Sequence, residues 1–158
     1  MTDIVIESLG RHAHLVEMIA RWHWNEWRGE GDPLQPWIEA HAKEGRLEGI
    51  PQAWIAFDDG EPIGSVSLIE HNMDTRLDLT PWLASLFVLP KHRERGVGSS
   101  LTAYCVEQAR DLGFETLYLY TEVAQDFYAK RGWSLVSEEA YEGEAVAVMC
   151  QELGTISP

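Results

Sequence analysis

A single α/β domain, with strands and helices alternating along the chain, is predicted by three observations. The chain has 158 residues, long enough for one well-formed core and too short for two ordinary domains, and no repeat or linker-like stretch divides it. The segment LASLFVLPKHRERGVGSSL reads as a buried strand, a basic glycine-bearing loop and a helix. The segment FETLYLYTEVAQDFYAKRGWSLV, 114–136, reads as strand, short helix, glycine stop at Gly132 and strand.

The elements follow in order. MTDIVIESLG suits a strand at 3–9 rather than a signal peptide, and helices are expected at 12–28 and 34–48, where tryptophans crowd at helical spacing. Strands at 52–58 and 61–71 are joined by Asp58, Asp59 and Gly60 as a hairpin. The apolar run at 82–89 is a strand stopped by Pro90, which lacks an N–H for the ladder. Val97, Leu101, Tyr104, Cys105 and Leu112 then recur at helical spacing, giving a helix at 97–112. A strand at 115–121, a helix at 123–131 with Val123, Ala124, Phe127 and Tyr128 on one face, and strands at 133–138 and 144–152 complete the chain.

The loop between the strand at 82–89 and the helix at 97–112 carries the chemistry. Gly96 and Gly98 allow a sharp turn and close approach of the backbone to a ligand. The free N–H groups of the helix's first turn, with the dipole behind them, favour an anion. Lys91, Arg93 and Arg95 cluster there around His92 in a chain of net charge −14, which points to a specific polyanionic ligand rather than a basic surface. A dinucleotide fingerprint is excluded because Leu101 stands where its third glycine belongs, and the G-x-x-x-x-G-K-[ST] phosphate loop is absent.

What remains is R-x-x-G-x-G at Arg93, Gly96 and Gly98, preceded by V-x-P at Val88 and Pro90. In this the chain resembles the GNAT superfamily of acetyl-CoA-dependent N-acetyltransferases. The second block resembles it too, through A-x-x-F-Y-x-x-x-G-[FW] at Ala124, Phe127, Tyr128, Gly132 and Trp133. The resemblance is strong over residues 52–150 and extends to the first 50 only in element order. It implies a GNAT fold, α/β (α+β): a mixed, mostly antiparallel central sheet with a splayed strand pair, flanked by helices on both sides.

The resemblance also implies a site. Acetyl-CoA, as cosubstrate, would enter a gap between 86–89 and 117–121, touching Phe87, Val88, Arg93, Glu94, Arg95, Gly96, Val97, Gly98, Ser99, Thr121, Gln125, Phe127 and Tyr128. The N–H near Val88 would face the thioester oxygen. Tyr128 occupies the position of the acid that protonates the departing thiolate after direct attack by an amine, although it also suits a core aromatic beside Phe127. Many relatives carry a glutamate where this chain has Ser85, so a water relay starting at Glu70, His71 or Glu122 is expected instead; each of these also suits a solvated strand end. Thr121 stands where many relatives have asparagine. Trp27, Trp37 and Trp82, with Ser85, are the candidate acceptor wall, and Trp22 and Trp24 lie nearby; the same tryptophans suit a core. Acids at Glu26, Glu30, Asp74 and Asp78 would suit a cationic amine.

Composition bounds the partners. With 26 acidic residues against 12 Lys and Arg, neither nucleic acid nor an anionic membrane is an expected partner. No apolar run approaches a membrane span. Cys105 and Cys150 are expected as free thiols under a cytoplasmic reading, and no Cys/His spacing resembles a metal site. The resemblance leaves room for a homodimer. Two functions follow from these residues: an N-acetyltransferase acting on a small-molecule or peptide amine, or a noncatalytic acyl-CoA-binding module that senses or regulates.

Overall fold

The computed structural model describes residues 4–27 and 31–154. Strands are β1 (Ile4–Ser8), β2 (Gln52–Asp58), β3 (Glu61–Ile69), β4 (Trp82–Val88), β5 (Thr116–Thr121), β6 (Ser134–Tyr141) and β7 (Glu144–Glu152); helices are α1 (Val16–Trp27), α2 (Gln35–Ala42), α3 (Val97–Asp111) and α4 (Gln125–Ala129). The strands form one seven-stranded sheet in the order β1-β2-β3-β4-β5-β7-β6. Every pairing is antiparallel except β4 with β5, which is parallel and joined at a single register pair, Trp82 with Tyr118.

Strand periodicity puts helices on both faces. Successive residues of β2 alternate between two cores: Trp54 and Ala56 pack with Val97, Leu101, Cys105 and Ala109 of α3, whereas Ala53, Ile55 and Phe57 pack with Ile19 of α1. Tyr128 of α4 joins the α3 side. A third cluster, Met73, Trp82, Val146 and Val148, closes the sheet beside β5. Gly64 is required by close approach, since a Cβ there would stand 2.7 Å from the Phe87 carbonyl oxygen.

The expected hairpin is present: β2 meets β3 with Asp58 opposite Glu61, and Asp59 and Gly60 both have positive φ, the geometry whose twist matches the strands. Several boundaries differ from expectation. The helix expected at 12–28 starts at Val16, after two 3-10 turns at Leu9–Arg11 and Ala13–Leu15. The helix expected at 34–48 ends at Ala42; Glu44 and Gly45 bond back to His41 and Ala42 in tighter turns. The helix expected at 123–131 spans only Gln125–Ala129, and β6 runs three residues beyond its expected end at 138.

Candidate active site

The site is built where β4 leaves β5. β4 carries a bulge: Ser67 pairs Ala84 and Ser65 pairs Phe87, so Ser85 and Leu86 together oppose Val66, and Ser85 takes φ 55°. Beyond the Trp82–Tyr118 pair no further β4–β5 register forms, which leaves the two strands open toward Val88 and Thr121. This is the gap expected between 86–89 and 117–121.

At the mouth of the gap the backbone turns sharply into α3. Pro90–His92 form a 3-10 turn, Glu94 and Gly96 have φ of 64° and 83°, and α3 begins at Val97 with no side-chain cap on its N-terminus. The N–H groups of the first turn are therefore available to a ligand, with the helix dipole aligned behind them. A Cβ on Gly98 would meet Phe127 and Val88 only at 3.9 Å, so the protein itself does not demand glycine there; the open surface serves close approach.

The loop cations have different duties. Lys91 faces Glu61 at 3.8 Å on the surface. Arg93 donates from Nε to the Val88 carbonyl at 2.7 Å, reaches Glu26 at 3.5 Å and lies over the Phe87 ring at 5.5 Å, so it splints the loop to β4. Arg95 has no side-chain partner among the described residues. A fourth cation, Arg131, escaped the sequence reading: it donates to Ser99 Oγ at 3.0 Å and to the Phe127 carbonyl, and stacks on the Phe127 ring at 3.7 Å. Its signal was the i, i+4 spacing from Phe127. A groove of about 320 Å³, lined by Ser99, Thr102, Arg110, Arg131, Trp133 and Gln151, runs along α3 from this point.

Tyr128 lies in the same cluster as Val88, at 7% exposure, with its ring against Phe127 and Trp133. Among the described residues its hydroxyl has no hydrogen-bond partner. Burial, and then the neighbouring Cys105, pushes its pKa up to about 12. A phenol buried over its ring, with its hydroxyl uncommitted to any protein group, is free to bond a ligand.

The remaining expected residues divide. Val97 is buried and offers only main chain, and Phe87 turns its ring to Trp22 and Trp27 on the α1 face, so it too offers main chain at the gap. Thr121 Oγ1 accepts from the Ala124 N–H at 2.9 Å and thus shapes the turn into α4. Gln125 and Phe127 are half-buried on α4. Glu122 follows β5 at the same end of the sheet as Val88, exposed. Glu70 is not brought there: it follows Ile69, which pairs with Trp82, so the length of β4, about 20 Å at ~3.3 Å per residue, separates it from Val88. It and His71 face each other at 3.7 Å in solvent.

The acceptor wall also needs correction. Trp82 is 0% exposed, bonded from Nε1 to the Leu79 carbonyl and packed on Tyr118 and Tyr120, so its ring meets no ligand. Trp27 is 46% exposed, Trp37 is half-buried on α2, and Ser85 is half-buried in the bulge. Of the acids, Glu26 is taken by Arg93 and Asp78 by Arg76, which also binds Glu139; Glu30 lies outside the described residues. No group of three or more potential metal ligands and no helix long and apolar enough to cross a membrane occurs among the described residues.

Residues 16–133 match the family described as Acetyltransferase (GNAT) family. The chain belongs to that family. Among GNAT relatives it is 32% identical over 85 residues to the peptidyl-lysine N-acetyltransferase YiaC of Escherichia coli, covering 54% of this chain and 51% of that protein. It is 34% identical over 86 residues to the aminoalkylphosphonate N-acetyltransferase of Salmonella typhimurium, covering 50% of this chain and 54% of that one. The chain thus spans about half the length of these curated relatives. In fold it is similar to an aminoglycoside 6'-N-acetyltransferase whose crystal structure holds coenzyme A, with a TM-score of 0.75, 16% identity, and 98% and 99% of the two chains covered. The splayed β4–β5 pair and the flanking helices are the GNAT architecture expected from the sequence.

Proposed function

We propose that this GNAT chain, as a single domain over residues 1–158, is an N-acetyltransferase that moves an acetyl group from acetyl-CoA to a primary amine of a small molecule or peptide. The observation that carries the reading is the gap left where β4 parts from β5, with an uncapped helix at its mouth and Tyr128 packed in the same cluster as Val88. The residues fit acetyl-CoA: Gly96, Val97, Gly98 and Ser99 offer backbone N–H groups to the pyrophosphate, Arg95 and Arg131 add charge, and the open edge of β4 offers main chain to the pantetheine arm.

When bound, acetyl-CoA supplies an activated acyl carbon. The protein's part is to orient that group against the backbone near Val88, exclude water through the α3 cluster, and hold a proton on Tyr128 Oη for the leaving sulfur. Glu122 is the better-placed start of a water relay that takes the amine's proton. Trp27 and Trp37 supply the acceptor wall, and the acidic net charge attracts a cationic amine. A cytoplasmic location and a homodimer belong to the same proposal.

The noncatalytic binding reading is favoured by one observation: Ser85 holds the usual carboxylate position, and its bulged φ of 55° gives no substitute base. Thermal stabilisation by acetyl-CoA and CoA, against NADPH and ATP, followed by an amine screen for thiol release, separates the two. Selective stabilisation with turnover supports the enzyme; stabilisation without turnover on any amine supports the binding module; no stabilisation overturns both.

A further inference from the structure

A chain of buried hydrogen bonds ties α1 and α2 to the sheet. Ser65 and Ser67 of β3 face this side because Val66 and Leu68 take the other. His23 Nε2 lies 3.1 Å from Ser65 Oγ, His23 Nδ1 2.8 Å from His41 Nε2, and His41 Nδ1 2.9 Å from Glu44 Oε1, which also accepts from Ser67 Oγ at 2.8 Å. Exposures are 1% for His23, 4% for His41, 8% for Glu44, and 1% for each serine.

Counting protons fixes the chain's polarity. With Glu44 ionised, His41 donates from Nδ1 to the carboxylate, accepts at Nε2 from His23 Nδ1, and His23 accepts at Nε2 from the Ser65 hydroxyl. Two ring nitrogens 2.8 Å apart hold one proton between them; a second sets N–H against N–H. Burial, and then His41, holds His23 well below the ordinary histidine range, in keeping with a neutral pair. Ser65 and His23 are closed to solvent, so the chain is no route for a substrate's proton. Its effect is geometric. The His23 ring supports Trp27 at 5.0 Å and Phe87 at 5.9 Å, and Phe87 directly precedes Val88.

We infer that His23 is a positioning residue for the acceptor wall, locked in one tautomer by Glu44 acting through His41, and that a second proton on the histidine pair unlocks it. This rests on the acetyltransferase reading, with Trp27 as part of the wall. The groups facing the pair are Glu44 beyond α2, Ser65 and Ser67 from β3, Phe87 from β4 and Trp27 from α1; the ion pair of Glu26 with Arg93 flanks Phe87. From the opposite face the Cys105 thiol approaches, donating to the Ser67 carbonyl. The folded value of His23 lies below its unfolded one, so the lock's contribution is complete above about pH 6.5 and drains as pH falls below it.

The test begins with the full chain alone, since it needs no acceptor. Tryptophan emission is followed downward from pH 8, beside far-UV circular dichroism, to the pH at which the secondary structure is lost. The expected result is a drop in emission well below the ordinary histidine range, where His23 gains a proton in the folded chain and the imidazolium quenches the indole it touches, with the circular dichroism unchanged. The drop disappears in Trp27→Phe, moves to higher pH in His41→Gln, which no longer holds His23 down, and moves to lower pH in Glu44→Gln, which loses the charge that favours a second proton. A transition unmoved in Glu44→Gln, or one that coincides with loss of secondary structure, overturns the inference; this arm stands even if His41→Gln does not fold. With an acceptor in hand, its KM rises over the same pH range in which the emission falls while kcat and acetyl-CoA affinity hold, and the rise follows the emission in Glu44→Gln. An emission transition without turnover on any amine sinks the enzyme reading alone; turnover with a pH-flat KM and flat emission sinks the positioning role alone.

Discussion

Replacing Tyr128 with phenylalanine removes one oxygen and little else. The ring keeps its contacts with Phe127 and Trp133, and the hydroxyl has no partner among the described residues to strand. Stability is therefore unchanged or slightly improved, within about 0.5 kcal/mol or ~2 °C in Tm. Activity responds differently. Loss of a positioned general acid costs 10²–10⁴-fold, about 2.7–5.4 kcal/mol of barrier. With its pKa pushed up to about 12, Tyr128 is roughly one part in 10⁴ ionised at pH 8, so the proton is present throughout any ordinary assay. A hydrated thiolate of ordinary pKa, about 8.5, would take that proton only uphill, by about 5 kcal/mol. Desolvation lifts thiols too, as it does Cys105 in the same cluster, so a CoA sulfur that leaves out of water narrows this gap. The assay is thiol release against pH from 6 to 10 with the best amine from the screen, run beside a melting curve. A Tyr128→Phe enzyme with kcat within threefold of the parent refutes the acid role.

Further outcomes follow from other contacts. Arg95→Ala and Arg131→Ala each weaken acetyl-CoA binding several-fold, with less effect at high salt, while Lys91→Ala does not; equal effects of all three, by calorimetry, would dissolve the distinction between seat and surface. Gly64→Ala drives a Cβ to 2.7 Å from the Phe87 oxygen, which is backbone and cannot swing aside, so a loss of about 1–3 kcal/mol is expected; an unchanged melting temperature contradicts it. Arg76→Ala frees the 70–81 connection from β6. Arg76 holds the Asp78 carboxyl below its usual range, and Ser137 and then Arg76 do the same for Glu139. The Tm gap between parent and variant is therefore present above about pH 4 and closes as pH falls through those lowered values; a gap that persists at pH 3 refutes the pairing.

The parts of the site legible in the sequence were those made by backbone: the turn at Gly96, the uncapped start of α3 and the strand stop at Pro90. Each depends on one residue's own φ or missing N–H, which composition announces. The parts that were not legible depend on which face a strand presents and to what. In β3 the alternation Ser65, Val66, Ser67, Leu68 resembles a half-solvated strand, but α1 and α2 cover the serine side and bring their own polar groups to it. His23 lies four positions after Ile19 on the buried stripe of α1, and the fold supplies its partner, His41, 18 residues away. α2 stopped short of its expected end because Glu44 turns back to meet that partner. Trp82, which suited either an acceptor wall or a core, is a core residue, because the 70–81 connection folds over it.

The bulge at Ser85 acts as a phase shift. Before it, the odd-numbered Leu83 faces α3; after it, the even-numbered Leu86 and Val88 do, while Phe87 keeps its ring under Trp22 and Trp27. Shortening β4 by that one residue would reverse the parity of all that follows, sending Val88 toward α1 and Phe87 toward α3, with the hydrophobic character of both faces intact. Such a protein would keep a core and lose its gap. Within β4, then, length as much as chemistry decides whether the strand can serve a ligand.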